Sequence, residues 1–181
     1  FGFGKNTKID ILNESIGIVP SSNFMNNRYG NFGWSRGAIL NICIGQGETL
    51  VTPIQVFNFV NLLATNGMAQ VPHFVMVDQL PENVTPKLNS EIWEKISSDM
   101  ENVIMHEKGT GKNANPNISD IRVFGKTGTA ENPHGDNHAW FAGWADYNNE
   151  KYSLVILLEN AGSGGSVAAP LAKKIFSKLF D

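Results

Sequence analysis

The sequence predicts an α+β fold, an antiparallel β-sheet flanked by helices. Three observations predict it. Residues 121–130, 139–146 and 152–159 read as three successive strands joined by short polar connections. Two stretches of helical periodicity precede them, and a third follows as the last element of the chain. Helices segregated from a run of antiparallel strands are the mark of this class.

Residues 1–50 are rich in Gly, Asn, Ser and aromatic side chains and carry few sustained periodic runs. Residues 7–12 read as a short strand and 17–27 as loop, with no helix expected before Thr49. A long, weakly regular stretch of this kind usually lines a site or wraps a core formed elsewhere. Thr52-Pro53 then opens a helix, with Thr as N-cap and Pro at the first helical position. Ile54, Val56, Phe57, Phe59, Val60, Leu62 and Leu63 continue it, and Gly67 stops it. Gln55, Asn58, Asn61 and Thr65 form a single polar stripe, so the rest of the circumference should be buried.

Residues 71–77 read as a short strand, followed by a connection punctuated by Pro81 and Pro86. A second helix starts near Asn89 or Ser90, with Glu91 and Glu94 in its first turn, where the helix dipole favours acids. Ile92, Trp93, Ile96, Met100, Val103 and Ile104 mark its apolar face, and Trp93 and Met100 read as core. Gly109-Thr110-Gly111 ends the region in a flexible turn. Of the three strands, 154–158 is continuously apolar, which predicts a central strand covered on both faces. Asn148-Asn149 marks a short hairpin, and Gly162-Ser163-Gly164-Gly165 a loop. The final helix runs from about Ser166, with Leu171, Ile175, Phe176 and Leu179 apolar and Lys173, Lys174 and Lys178 towards its C-terminus.

A chain of 181 residues, 41% apolar and 17% charged, suffices for one domain with a sizeable core. Its net charge of −3 and scattered basic residues give no footprint for nucleic acid or for an anionic membrane. Cys43 stands alone, which excludes an internal disulfide and a thiolate metal cluster. The longest purely apolar run, 154–158, is far too short to span a bilayer. The chain opens on Phe1-Gly2-Phe3-Gly4 with no leader and no initiating Met, which predicts a piece of something longer.

The chemistry concentrates in Val123-Phe124-Gly125-Lys126-Thr127-Gly128-Thr129-Ala130. The segment starts apolar, as a strand should, then sets a cation, two hydroxyls and a glycine in succession. Lys126, Thr127 and Thr129 can line one backbone edge, while Gly128 has no side chain to hold a ligand away. A phosphate-binding loop is excluded: Asp120 stands where that motif needs glycine, and Gly128, Asn132, Pro133 and Gly135 read as loop where it needs a helix. The alternative left by these residues alone is an ordinary exposed hairpin. His134, Asp136 and His138 lie within five residues, but Pro133 and Gly135 disfavour the helix that would gather them, and no fourth ligand stands nearby. They read as a solvated loop, with no metal and no cofactor expected. A serine-protease triad finds no support either, since nothing resembles a nucleophile elbow.

A Lys-Thr-Gly triad opening such a hairpin resembles the third signature of the penicillin-binding proteins and serine β-lactamases. The likeness extends along the chain. Phe1-Gly2-Phe3-Gly4-Lys5-Asn6-Thr7-Lys8-Ile9-Asp10 resembles the FGxGxxTGID segment of class B penicillin-binding proteins, with Lys8 in place of the usual Gly. Ile44-Gly45-Gln46-Gly47-Glu48 and Val51-Thr52-Pro53-Ile54-Gln55 resemble their IGQGE and TPxQ segments. Lys126-Thr127-Gly128-Thr129-Ala130 and His138-Ala139-Trp140-Phe141-Ala142-Gly143 complete the series, which points to the elongation-type branch.

Two of the family's three active-site motifs are missing. No serine is followed three residues on by lysine, and Ser21-Ser22-Asn23, which matches Ser-x-Asn by letters, falls after the FGxGxxT segment instead of before it and reads as a turn. Residues 1–181 are therefore expected to be the C-terminal part of a transpeptidase domain. The resemblance implies a peptidoglycan D,D-transpeptidase: a serine attacks the D-Ala-D-Ala end of one stem peptide, releases D-Ala, and passes the acyl group to an amine of a neighbouring stem, or to water. It implies that Lys126 assists proton transfer and attracts the substrate carboxylate, and that the hydroxyls of Thr127 and Thr129 bind that carboxylate. It implies that the Thr129 N–H is one oxyanion-hole donor, and that Gly128 lets substrate lie along the strand edge. β-Lactams are implied as ligands, a membrane glycosyltransferase of the SEDS family as partner, and the periplasmic face of a bacterial inner membrane as location. A β-lactamase or β-lactam sensor of the same fold is the near alternative, disfavoured by the Gly45-Gln46-Gly47 and Thr52-Pro53-Ile54-Gln55 segments. A non-catalytic binding module is the distant one.

Overall fold

The computed structural model describes residues 1–30, 33–76 and 78–180. Along the chain run α1 (Ser22–Tyr29), α2 (Arg36–Cys43), α3 (Pro53–Ala64), α4 (Ser90–Met105), a 3-10 turn (Lys112–Ala114), β1 (Arg122–Ala130), β2 (His138–Tyr147), β3 (Glu150–Leu158), a π-helical turn (Gly164–Ala168) and α5 (Ala169–Phe180). The strands make one antiparallel sheet in the order β1-β2-β3, with Gly125 opposite Gly143 and Gly143 opposite Leu154. Asn148 and Asn149 turn β2 into β3 with φ of 51° and 65°. That is the left-handed pair a two-residue hairpin needs, and asparagine tolerates it better than most residues.

Alternation along the strands supplies two cores. Val123, Ala139, Phe141, Ala145 and Ile156 pack on Ile104 of α4 and on Ala169, Ala172 and Phe176 of α5. On the other face Phe124 stacks on Trp144 with centroids 4.7 Å apart, against Val60, Leu63 and Ala64 of α3 and Trp93 of α4. Each large side chain buried this way stabilises the fold by about 1.5–3 kcal/mol. The predicted strand 152–159 is covered on both faces, since Leu154 and Leu158 pack towards α5 and Val155 towards α3. Among the described residues, however, β3 is an edge strand and β2 is central. A continuous apolar run reports covered faces; it carries no information about the hydrogen-bonding edge.

The start of α3 is as expected and stronger. Thr52 Oγ1 accepts from the Gln55 N–H at 3.2 Å, while Gln55 Oε1 accepts from the Thr52 N–H at 3.0 Å, a reciprocal capping box. The polar stripe is partly inverted, because Gln55 and Asn58 are buried. The Gln55 amide donates to the carbonyls of Lys5 and Ile16, and Asn58 exchanges hydrogen bonds with Asn83. The irregular N-terminal segment wraps this side of the helix and supplies the partners of Gln55, while Asn83, in the connection before α4, supplies that of Asn58.

That segment also corrects the expectation of no helix before Thr49. α1 and α2 are eight-residue helices started by serines: Ser21 Oγ accepts from Phe24 N and Ser35 Oγ from Ala38 N. Ser22 and Asn23, read as turn, form the first turn of α1. Residues 7–12 contain no strand, and among the described residues a single bridge, Ile18 to Leu50, ties the segment by backbone pairing. Nor do residues 71–76 form a strand; residue 77 lies outside the described residues. There the Asp10 carboxylate accepts from the N–H groups of Phe74 and Val75, taking the donors a ladder would use.

Candidate functional site

Among the described residues β1 ends the sheet, with no strand paired on its outer edge. Three contacts identify that edge. Lys126 is exposed and its ammonium donates to the Thr127 carbonyl at 2.7 Å. Gln46 Nε2 donates to the Thr129 carbonyl at 3.1 Å, and Gln46 Oε1 accepts from the Glu131 N–H at 3.3 Å. Carbonyls and N–H groups two residues apart point to one side of a strand, so Thr127, Thr129 and Glu131 turn theirs away from β2. The Thr129 N–H shares that outward edge.

The four residues singled out in the sequence are thereby sorted. Gly128 and Thr129 contribute, with Ala130, to the wall of a cleft of about 1030 Å³. Its other wall is the α2–α3 connection, including Ile44, Gln46 and Leu50, and its floor carries Trp140 and Leu157. A Cβ on Gly128 would crowd the Trp140 Cβ at 3.2 Å, so glycine spares the strand that contact on its cleft face. Thr127 is buried, and its hydroxyl donates to Thr110 Oγ1 at 2.9 Å. Lys126 lies on the same strand face as Gly128, two residues before it.

Thr129 is held by elements distant in sequence. Its hydroxyl accepts from the Gly164 N–H at 3.2 Å, which leaves the hydroxyl hydrogen free to donate to a ligand. Gly164 has to be glycine, because a Cβ would be driven into the carbonyl oxygens of Gly128 and Trp140. The Gly109-Thr110-Gly111 turn is packed and not loose: Gly111 N donates to Val103 O, and the Thr110 carbonyl lies against Gly165. The Gln46 loop is anchored as well. Glu48 accepts from Tyr29 Oη at 2.6 Å and from Arg28 Nε at 2.9 Å. The Tyr29 hydroxyl first, and then Arg28, hold the Glu48 carboxyl below the usual carboxylate range.

Thr110 and Gly164 escaped the reading of the sequence, and Gln46 entered it only as part of a resembling segment. The available signal was glycine density: each sits in or beside a Gly-x-Gly or Gly-Gly string, where close backbone approach is common. Beyond the strand, Asn132 donates to Asn160 Oδ1, and His138 Nδ1 accepts from the Asn160 N–H, so this loop is pinned to the end of β3. His134 and Asp136 are exposed, and no group of three metal-ligating side chains gathers among the described residues.

The penicillin-binding protein transpeptidase domain matches residues 1–177. The peptidoglycan D,D-transpeptidase MrdA of Haemophilus influenzae is 35% identical, over 97% of this chain and 30% of that protein. Penicillin-binding protein PbpB of Mycobacterium tuberculosis is 26% identical, over 97% of this chain and 28% of its own length. The chain thus spans about 30% of the curated relatives it matches. Among solved structures, penicillin-binding protein 2 of Pseudomonas aeruginosa in complex with WCK 5153 superposes with a TM-score of 0.83 at 29% identity, covering 99% of this chain and 40% of that one. Penicillin-binding protein 2 of Helicobacter pylori, solved in complex with MreC, gives 0.81 at 32% identity over 99% and 34%. With the match running through every element from α1 to α5, the chain belongs to the penicillin-binding protein transpeptidase domain family.

Proposed function

We propose that this chain is the C-terminal part of the transpeptidase domain of a peptidoglycan D,D-transpeptidase that crosslinks stem peptides through a serine acyl-enzyme. The observation that carries the reading is the open edge of β1, where Gly128 and Thr129 line the cleft and Lys126 sets a positive charge on the same edge. The nucleophile and its lysine belong to sequence beyond this chain. The serine oxygen attacks the penultimate D-Ala carbonyl, the terminal D-Ala leaves with a proton, and an amine of a second stem takes the acyl group. Hydrolysis of the same intermediate gives the carboxypeptidase side reaction.

Here the Thr129 N–H points outward and donates to the oxyanion as negative charge develops on it. The Thr129 hydroxyl, accepting from Gly164, donates to the substrate carboxylate. Thr127 supports the edge from beneath, because its hydroxyl is committed to Thr110; the carboxylate contact falls chiefly to Thr129. The Lys126 ammonium attracts the carboxylate and stabilises the proton transfers of acylation. β-Lactams enter as acylating analogues of the same D-Ala-D-Ala end. We assign the full-length protein to the periplasmic face of a bacterial inner membrane, working beside a SEDS-family glycosyltransferase. The test is acylation of the full-length protein by a fluorescent penicillin, followed by crosslinking of a stem-peptide substrate. Penicillin labelling that a Thr129→Val change slows at least tenfold is expected; absence of any labelling of the full-length protein rejects the reading.

A further inference from the structure

Gln46 makes an unusual contact for a loop residue. Its carboxamide bonds the carbonyl of one residue of β1, Thr129, and the N–H of the residue two further on, Glu131. A neighbouring parallel strand makes this same pair of bonds with its own backbone. Gln46 is therefore a one-residue substitute for a strand at the point where β1 ends and gives way to the polar loop. The side chain is aimed by its flanks: Gly45 and Gly47 have φ of +77° and +66°, a region closed to most side chains. The Gln46 N–H is bonded to Asn41 O at 2.9 Å, and Glu48 is clamped by Arg28 and Tyr29.

We propose that Gln46 is a positioning residue of the transpeptidase site, acting through Thr129. This rests on the function proposed above. The Thr129 N–H lies in the peptide unit before that carbonyl, so Gln46 acts on it across the Thr129 Cα: holding the carbonyl fixes the C-terminal side of the residue, where β1 runs out of its pairing with β2 at Ala130 and His138. Binding the Thr129 carbonyl from one side, while Gly164 holds its hydroxyl from the other, fixes the residue before substrate arrives. The gain falls on the step in which charge develops, because a donor already oriented needs no reorganisation there. Initial binding of ligand depends on it much less.

The experiment is stopped-flow acylation of the full-length protein by a chromogenic β-lactam, which separates the initial binding constant from the acylation rate constant. Gln46→Ala and Gln46→Met should each slow acylation by about tenfold, with the binding constant moving by less than about threefold. Gln46→Glu keeps the acceptor for Glu131 but turns a carboxylate oxygen towards the Thr129 carbonyl, and should be slower than Ala. A role confined to packing predicts instead that the two variants separate, with Met, similar in length and volume, close to the parent and only Ala slowed. Acylation by the Ala or Met variant within about twofold of the parent, faster acylation, or a loss confined to the binding constant overturns the proposal. Should both variants fail to fold, amide hydrogen exchange of the unsubstituted protein decides. A Glu131 N–H protected relative to the loop residues after it supports the contact, and one exchanging at the open-loop rate rejects it. A full-length protein that no β-lactam labels at all fails the functional reading instead, a distinct outcome.

Discussion

Lys126 carries its charge on the open edge of β1 and bonds only the neighbouring Thr127 carbonyl among the described contacts. That contact holds the ammonium close to the backbone that would meet substrate. If its part is electrostatic at acylation, Lys126→Ala in the full-length protein should slow acylation by about a hundred- to a thousandfold, equivalent to roughly 2.7–4 kcal/mol, while weakening initial binding far less. Lys126→Arg should recover part of the loss, since the charge stays but the broader guanidinium cannot occupy the same point. An alanine variant that folds and acylates within about threefold of the parent, well under 1 kcal/mol, removes Lys126 from the chemistry. The identity and order of Lys126, Thr127, Gly128 and Thr129 along one strand were legible in the sequence. The division of labour between the two hydroxyls was not. Strand alternation puts Thr127 and Thr129 on one face, but what each meets there depends on Thr110 and Gly164, brought in by separate turns.

At the scale of elements, α3 shows how far a helical pattern can be trusted. Its start was legible because Thr52 and Pro53 are local signals acting on neighbouring N–H groups. Its orientation was not, because hydrophobicity cannot tell a solvated polar side chain from one buried with partners. Gln55 satisfies the Thr52 N–H and two carbonyls from the wrapping segment, Lys5 and Ile16, while almost wholly buried. Gln55→Leu keeps the bulk and removes every side-chain bond. It should destabilise the chain by about 2–4 kcal/mol, since it leaves two part-buried carbonyls and the Thr52 N–H without their partner, and an unpaired polar group costs up to about 1–3 kcal/mol when buried. Urea unfolding measures this, and a loss below about 0.5 kcal/mol would mean that the wrapping segment is not held by Gln55. α1 and α2 went unread for a related reason. Each is a short helix: α1 is mostly polar with one buried residue, α2 has none, and neither presents a long apolar stripe. Only Ser21 and Ser35, as N-caps, announce them.

Over the whole molecule, one carboxylate, Asp10, ties the irregular N-terminal third to residues 74–75, and another, Glu48, braces that third internally. Backbone N–H groups, Val75 first and then Phe74, hold the Asp10 carboxyl below its ordinary value, and Tyr29 and Arg28 do the same for Glu48. A carboxyl with a depressed folded-state pKa stabilises the fold above its unfolded value and loses that contribution as pH falls through the folded one. The melting temperature should therefore drop as pH falls from about 5 to about 3, and Asp10→Asn should flatten part of that drop. A variant whose acid profile runs parallel to the parent's would take Asp10 out of the account. The same wrapping segment holds Ser22, the serine most open to misreading. Ser22-Asn23 supplies the letters of a second family motif, and Ser22 is exposed at the first position of α1, with Ser21 as the cap before it. Three residues after Ser22 stands Met25, buried in the core, where a catalytic serine of this family needs a lysine. No other serine of the chain has that lysine either. An acyl-enzyme needs a nucleophile whose proton has somewhere to go, and the ammonium of Lys126 lies on β1, bonded to Thr127. The polypeptide of residues 1–181 should accordingly form no covalent adduct with a labelled penicillin, even where its cleft retains weak affinity. Intact-mass spectrometry after prolonged incubation reads this directly, and stoichiometric addition of one penicillin would reverse the assignment, with Ser22→Ala the variant to locate the adduct.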